Sequence, residues 1–229
     1  MNGFSGRTGL TPEDLAKYRS YVPGVDVVIW QPAYDYQTYP TAGALAFNWF
    51  TLLRGTGTTS AFGGAGARTN QDTNMQLSGQ FGAGNQMLVL GIEVEFWPGS
   101  VPGLQTAAQP TDAQTSQQPD DVYSVLRNGI LSFSVQNRPY LEDGPLIKFP
   151  TQTYLTGFAA VTNGANATAS IQIAYASGCG ASYNIVPVLL RENQAFQTSI
   201  TFPAVIATPS GVDGRMGVRL NGKLIRNAQ

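Results

Sequence analysis

The sequence has no histidine and only one cysteine, Cys179. Histidine is the commonest general base and metal ligand among side chains, so its absence excludes Ser-His-Asp and Cys-His nucleophiles and histidine-based zinc sites. A single cysteine cannot form a disulfide within the chain, so the fold must depend on its hydrophobic core. The side chains that remain for chemistry are carboxylates, tyrosines and three lysines.

Charge is also scarce. Charged residues make up 12% of the 229 residues, about half the usual share of a soluble domain. Hydrophobic residues make up 42%, which indicates a globular chain rather than a disordered one. A surface kept soluble by amides and hydroxyls can pack against copies of itself without desolvating many charges, so the composition favours a protein that assembles.

Long apolar runs are missing as well. No segment approaches the roughly 18 apolar residues that a membrane-spanning helix requires. The opening, MNGFSGRTGLTPEDL, has no apolar stretch of the kind found in secretory signals. We therefore expect a protein made in the cytoplasm. Its net charge of −1 gives no bulk reason to expect binding to nucleic acid or to an anionic membrane.

What the sequence does contain is a period-two alternation of apolar and polar residues. In QAFQTSITF, residues 194–202, every second side chain is apolar or a threonine, as in a strand with one buried face. Similar segments, with few signs of helix between them, predict an all-β fold with an antiparallel jelly-roll β-sandwich. The predicted strands are 25–30, 44–53, 86–98, 129–136, 145–150, 171–175, 183–190, 196–202 and 216–226.

Two helices and three long loops complete this prediction. Residues 11–21, TPEDLAKYRSY, have Thr11 as a cap, Pro12 at the first helical position and acids near the positive end of the dipole. A weaker helix or turn is predicted for 120–129. The turn-rich connections are 55–74, 102–121 and 162–170. We divide the chain into an N-terminal arm with a short helix, residues 1–24, and a jelly-roll domain, residues 25–229.

One pair of carboxylates is a candidate for chemistry. Glu93 and Glu95 lie on the same face of a predicted strand, about 7 Å apart, which would suit a glycosidase or a hard cation. They alternate with Ile92, Val94 and Phe96, so the simpler interpretation is the solvent side of an amphipathic strand. We therefore predict no enzyme activity, no catalytic residues, no cofactor and no metal.

Basic residues are concentrated at the end of the chain. Residues 215–229 contain four of them and no acid, which makes this tail +4 and the remainder −5. Two interpretations are open: the solvated face of a last strand, or a contact with a neighbouring subunit's acids or with a polyanion. The four residues are Arg215, Arg219, Lys223 and Arg226.

A cluster of aromatic residues follows the first predicted strand: Trp30, Tyr34, Tyr36 and Tyr39. Such a cluster would suit a sugar-binding platform, but aromatic residues are also typical of cores and of contacts between subunits. The carbohydrate interpretation therefore stays open beside the structural one.

Several segments together resemble the jelly-roll capsid proteins of tailless icosahedral bacteriophages, the vertical jelly-roll lineage. They are YPTAGALAFNWF, DTNMQLSGQFGAGNQMLVLGIEVEF, RNGILSFSVQNRPYLEDGPLIKFP, VPVLLRENQAFQTSITFP and VRLNGKLIRNAQ. The resemblance lies in strand order, loop placement and the terminal strand, and covers about residues 25–229. The predicted strands are too few for two sandwiches, so a single jelly roll fits better than a double one.

The resemblance implies a viral structural protein: a capsid subunit that self-assembles into an icosahedral shell and has no active site. Its partners would be copies of itself in a capsomer and other virion proteins, with a weak contact to packaged nucleic acid or an internal membrane as a further expectation. No small-molecule substrate is implied, and its location would be the virion. The alternative is a carbohydrate- or receptor-binding jelly-roll module, such as a virion spike or adhesin.

Overall fold

The computed structural model describes residues 26–61, 64–99, 112–149, 153–159, 171–177 and 182–227. These residues form thirteen strands, one α-helix and a 3₁₀ turn. The strands are β1 (Asp26–Trp30), β2 (Ala33–Tyr39), β3 (Ala46–Trp49), β4 (Thr59–Ser60), β5 (Gly64–Ala65), β6 (Asn85–Trp97), β7 (Ile130–Val135), β8 (Arg138–Pro145), β9 (Thr153–Ala159), β10 (Ile171–Ser177), β11 (Tyr183–Leu190), β12 (Phe196–Thr201) and β13 (Gly214–Asn227). The helix, α1, is Asp112–Asn128, and the 3₁₀ turn is Leu146–Lys148.

Two antiparallel sheets form the body. The first has the order β1-β13-β6-β11, and β2 also pairs with β13, while the second has the order β3-β12-β7-β8. β1 and β2 follow one another along the same edge of β13: Asp26–Trp30 pairs with its last residues and Ala33–Tyr39 with its first. The all-β class and the antiparallel sandwich predicted from the period-two segments are thus confirmed. The helix predicted for 11–21 and the loop at 162–170 lie outside the described residues.

The core lies between the two sheets and follows the alternation seen in the sequence. Leu131, Phe133 and Val135 of β7 are buried, as are Phe196 and Ile200 of β12. Aromatic rings connect the two sheets: the ring centroid of Tyr39 on β2 lies 5.3 Å from that of Phe47 on β3 and 6.0 Å from that of Phe202 after β12.

Some predicted boundaries are wrong. Within the predicted strand 145–150, Pro145 ends β8 and Leu146–Lys148 form the 3₁₀ turn, so the predicted strand is wrong. Leu146 is buried in the core, and its N–H donates to the Gly129 carbonyl at 2.9 Å. Pro150 lies outside the described residues. The predicted strand 44–53 ends at Trp49, since Phe50 has a positive φ of 65°. Two strands lie where none was predicted: Arg138–Pro145 is β8, and the AYDYQTY segment is β2.

The helix α1 is longer than predicted, because residues 112–121 are helical rather than part of a loop. Val122, Val125 and Leu126 pack it against the core. Asp121 is buried and accepts hydrogen bonds from the N–H of Ser210 at 2.8 Å and from its hydroxyl at 2.5 Å. This pair attaches the helix to the loop between β12 and β13, and burial raises the pKa of the Asp121 carboxyl.

A buried ion pair holds the long connection between β3 and β6 against β2. The Arg68 guanidinium pairs with Asp35, and both side chains are almost completely excluded from solvent. The Asp35 carboxylate also accepts from the Phe50 N–H at 2.6 Å. Burial raises the pKa of Asp35 even though Arg68 opposes the shift. The Asp72 carboxylate accepts a hydrogen bond from the Ser60 hydroxyl, and this contact ties two parts of the same connection together.

Candidate interaction surface

The regular alternation of β13 decides where each basic residue of the tail lies. Met216, Val218 and Leu220 belong to the core. The alternate positions therefore place Arg215, Arg219 and Lys223 on the opposite, outer face of the first sheet. Arg226 is an even-numbered position and lies on the core side, beyond the end of the core. The structure thus brings three of the four predicted residues onto one face and separates the fourth.

Arg219 is part of a hydrogen-bonded group on this outer face. One of its terminal nitrogens lies 3.0 Å from a Glu95 carboxylate oxygen, and its Nε donates to the Tyr36 hydroxyl at 2.8 Å. The Tyr36 hydroxyl in turn donates to Glu95 at 2.7 Å. Burial and the neighbouring Glu95 carboxylate both raise the pKa of Tyr36, so the phenol stays protonated and acts as a donor.

The expected solvent-facing position of Glu93 and Glu95 is wrong. Each of these two residues is only 3% exposed to solvent. Glu95 is held by Tyr36 and Arg219, and Glu93 lies opposite Arg219 in the strand register. Period two shows correctly that the two acids share a face, but that face is closed to solvent here.

Arg215 is buried among aromatic rings. Its guanidinium carbon lies 5.2 Å from the centre of the Trp97 ring and 5.7 Å from that of Tyr36. Burial lowers the pKa of Arg215. Stacking on ring faces is a favourable way to hold a planar cation away from water. The contact predicted for these basic residues with a neighbour or a polyanion stays a prediction.

The aromatic cluster does not form a single platform. Tyr39 lies in the core and donates to the Ile206 carbonyl at 2.5 Å, and Tyr36 is buried. Trp30, by contrast, is 69% exposed, and the Lys223 ammonium lies 5.3 Å from its ring centre. Trp30 is therefore the one member of the four with a widely accessible ring.

Large exposed apolar side chains occur on both lateral sides of the sandwich. The first lateral side is built from β1, β2 and β3, since Gln37 of β2 donates to the Asn48 carbonyl of β3 at 2.7 Å. The second is built from β11 and β8, where Phe149, just after the 3₁₀ turn, contacts Tyr183 with ring centres 4.8 Å apart. At the first side the exposed residues are Val28 and Trp30 of the edge strand β1, whose side chains lie on the outer face of the first sheet with Lys223, and Leu45 just before β3. At the second side they are Tyr140, Ile147, Tyr183 and Val186.

No metal site is visible in the described part of the chain, where no three His, Cys, Asp or Glu side chains come together. In the same residues, no helix has the length and apolar character needed to cross a membrane.

No family model matches this chain. No curated protein and no solved structure matches it either. Function therefore has to be argued from the arrangement of the residues themselves.

Several residues at this surface and beneath it could not be found from the sequence. Trp97 and Tyr36 come to Arg215 through the pairing of β13 with β6 and β2, which lie far away in the chain. Asp35 and Arg68 are 33 residues apart and meet through a shorter loop closure. Period two reports the face of a strand but carries no information about which strand lies beside it.

Replacing Glu95 with glutamine should lower the free energy of unfolding by about 1–3 kcal/mol, because a buried charge-assisted acceptor for Tyr36 and Arg219 is lost. Urea unfolding at pH 7 measures this. The matched control is Glu142→Gln, an exposed acid on β8. An equal effect of the two substitutions would show that the contacts of Glu95 with Tyr36 and Arg219 contribute no stability.

Proposed function

We propose that this chain is a viral structural protein, a capsid subunit that folds as a single jelly roll and works by packing against copies of itself in a virion. The observation that supports it best is the presence of exposed apolar side chains on two opposite lateral sides of one rigid sandwich.

The strand order supports a jelly roll. In chain order, the strands of the two main sheets are β1 with β2, then β3, β6, β7, β8, β11, β12 and β13, while β9 and β10 pair with each other outside these sheets. Counting them as one to eight, the sheets have the orders 1-8-3-6 and 2-7-4-5. The first strand pairs with the last, the second with the seventh, the third with the sixth and the fourth with the fifth. An antiparallel ribbon wound into two facing sheets would give these pairs, and this supports the proposal of an eight-stranded jelly roll.

The two lateral sides support assembly into a ring. They carry different residues, so contact between them joins unlike surfaces of two copies. Such heterologous contacts close into rings when the rotation between copies permits it, as upright subunits of a capsomer require. Val186 is 75% exposed and Trp30 is 69% exposed, so each side offers at least one large apolar anchor.

The scarcity of charge supports the same function. Only 12% of the residues are charged, so wide lateral contacts would bury few ions, which are costly to desolvate. Lys223 lies on the Trp30 ring at the first lateral side and is the tail residue best placed to meet an acid of a neighbouring copy.

Complementary variants test this function. Trp30→Glu should disable the first lateral side and Val186→Glu the second, because each introduces a charge at an apolar contact. Each variant alone should be monomeric by light scattering at a concentration where the unaltered protein forms rings or particles. Mixed together, they should form one-to-one dimers and nothing larger, since each variant retains the surface that the other lacks.

Tyr123→Glu is the matched control, because Tyr123 is an exposed aromatic residue on α1, outside both lateral sides. It should assemble normally, as seen by negative-stain microscopy. A strictly monomeric unaltered protein at high concentration would overturn the proposal. Variants that still assemble alone would overturn the lateral contact.

A further inference from the structure

A cleft lies at the end of the sandwich where β13 finishes. Its volume is about 180 Å³. It opens between the Gln31-Pro32 link that joins β1 to β2, the connection at 74–82, the start of β6 and the last residues of β13. The ends of β-barrels and sandwiches are common places for small-molecule sites, because the loops there surround an open core.

The floor of the cleft is apolar. Met75 and Met87 are buried members of the core, while Phe81 and Leu224 pack against it. These four side chains offer no hydrogen-bonding group, and Phe81 and Leu224 are the more accessible of them. A ligand must therefore present a face of C–H groups towards the floor.

The rim of the cleft is polar. Gln31, Gln76, Gln80 and Asn85 line it together with Arg226. The side chains of these five residues make no hydrogen bond or ion pair within the described part of the chain. Among the lining residues that the structure describes, Arg226 is the only charged one.

The connection at 74–82, which supplies one wall of the cleft, is held in place by backbone hydrogen bonds at Gly79, a residue behind the lining. Gly79 donates to the Phe50 carbonyl at 2.7 Å and accepts from the Phe196 N–H at 2.7 Å. Its φ is +57°, and an added Cβ would lie 2.7 Å from the Phe196 carbonyl oxygen, so only glycine fits. Asn74 donates to the Pro32 carbonyl at 2.8 Å and holds the opposite wall. A preformed wall reduces the entropy cost of binding.

From these features we infer that the cleft binds a six-membered sugar ring that carries a carboxylate, such as a uronic acid. A cavity of roughly 150 Å³ holds benzene, so a cleft of about 180 Å³ has room for one six-membered ring, with the polar substituents of the ring at the open rim. Amide groups both donate and accept, as sugar hydroxyls do, while the guanidinium of Arg226 pairs with a carboxylate. A single cation favours a singly charged acid over a doubly charged phosphate. This binding does not depend on the proposed assembly.

Calorimetric titration with three probes tests the inference: methyl glucuronide, methyl glucoside and cyclohexanecarboxylate. The glucuronide should bind at least tenfold more tightly than either of the others, because the glucoside lacks the charge and the cyclohexane lacks the hydroxyls. In Arg226→Gln the preference for the glucuronide over the glucoside should disappear. The matched control Arg138→Gln removes an exposed arginine of β8 and should leave all three affinities unchanged.

Three results would overturn the inference. The first is the absence of any heat of binding for the glucuronide at 20-fold excess over about 1 mM protein, conditions that detect a Kd in the millimolar range. The others are equal affinity for the glucuronide and the glucoside, and an unchanged preference in Arg226→Gln. The monomeric Val186→Glu variant, altered on the second lateral side, should bind like the unaltered protein. Failure of assembly and failure of sugar binding are therefore separate outcomes.

Discussion

Replacing Asp35 with alanine should lower the free energy of unfolding by about 3–5 kcal/mol, because the guanidinium of Arg68 would remain buried without its partner. Asp35 and Arg68 are both excluded from solvent, so water cannot replace the lost carboxylate. The Phe50 N–H, which donates to Asp35 at 2.6 Å, would lose its acceptor as well. Urea unfolding at pH 7 gives the change directly.

A double-mutant cycle separates the ion pair from its surroundings. The double variant Asp35→Ala/Arg68→Ala should be destabilised by at least 2 kcal/mol less than the sum of the two single variants, since no charge is left buried (about 0.5–3 kcal/mol is usual for coupled residues). Arg54→Ala is the control: this arginine lies on the same connection, is exposed and donates to Asn70 at 2.7 Å. Arg54→Ala should lower the free energy of unfolding by less than about 1 kcal/mol. Additive single effects would contradict a coupled pair.

Replacing Gly222 with alanine should lower the free energy of unfolding by about 3 kcal/mol or more, because the added carbon would be packed against main-chain atoms. An added Cβ would lie 1.9 Å from the Leu88 carbonyl oxygen, a main-chain atom of the neighbouring strand β6 that cannot rotate away. The pairing shifts register at this point, where Asn221 faces Gly91 and Gly222 faces Val89. The two strands therefore have to separate or slide at the middle of the first sheet.

Gly82→Ala is the matched control for Gly222→Ala. Its Cβ would meet only a side-chain atom of Leu77 at 3.4 Å, so a change below about 1 kcal/mol is expected. Thermal unfolding followed by circular dichroism compares the two variants. Equal midpoints would show that β6 and β13 tolerate the extra carbon and that the close approach is not required by the fold.

The strand content of this fold was accessible from the sequence, while several strand ends were not. Alternation identified β7, β12 and β13, because one face of each packs on the core. It missed β2, whose polar and aromatic residues alternate between two buried environments, so no polar face marks it as a strand. The 3₁₀ turn at Leu146 was mistaken for a strand, since a short apolar run between prolines has the same composition in either structure.

The sequence by itself determined that this protein has a β-sandwich core, no histidine chemistry and little charge. These follow from composition and from a period that every pleated strand imposes. Only the tertiary structure decided that Glu93 and Glu95 are buried and that Arg226 is separated from Arg215 and faces a cleft. The physical reason is that alternation assigns side chains to two faces, whereas strand pairing between distant segments decides what covers each face.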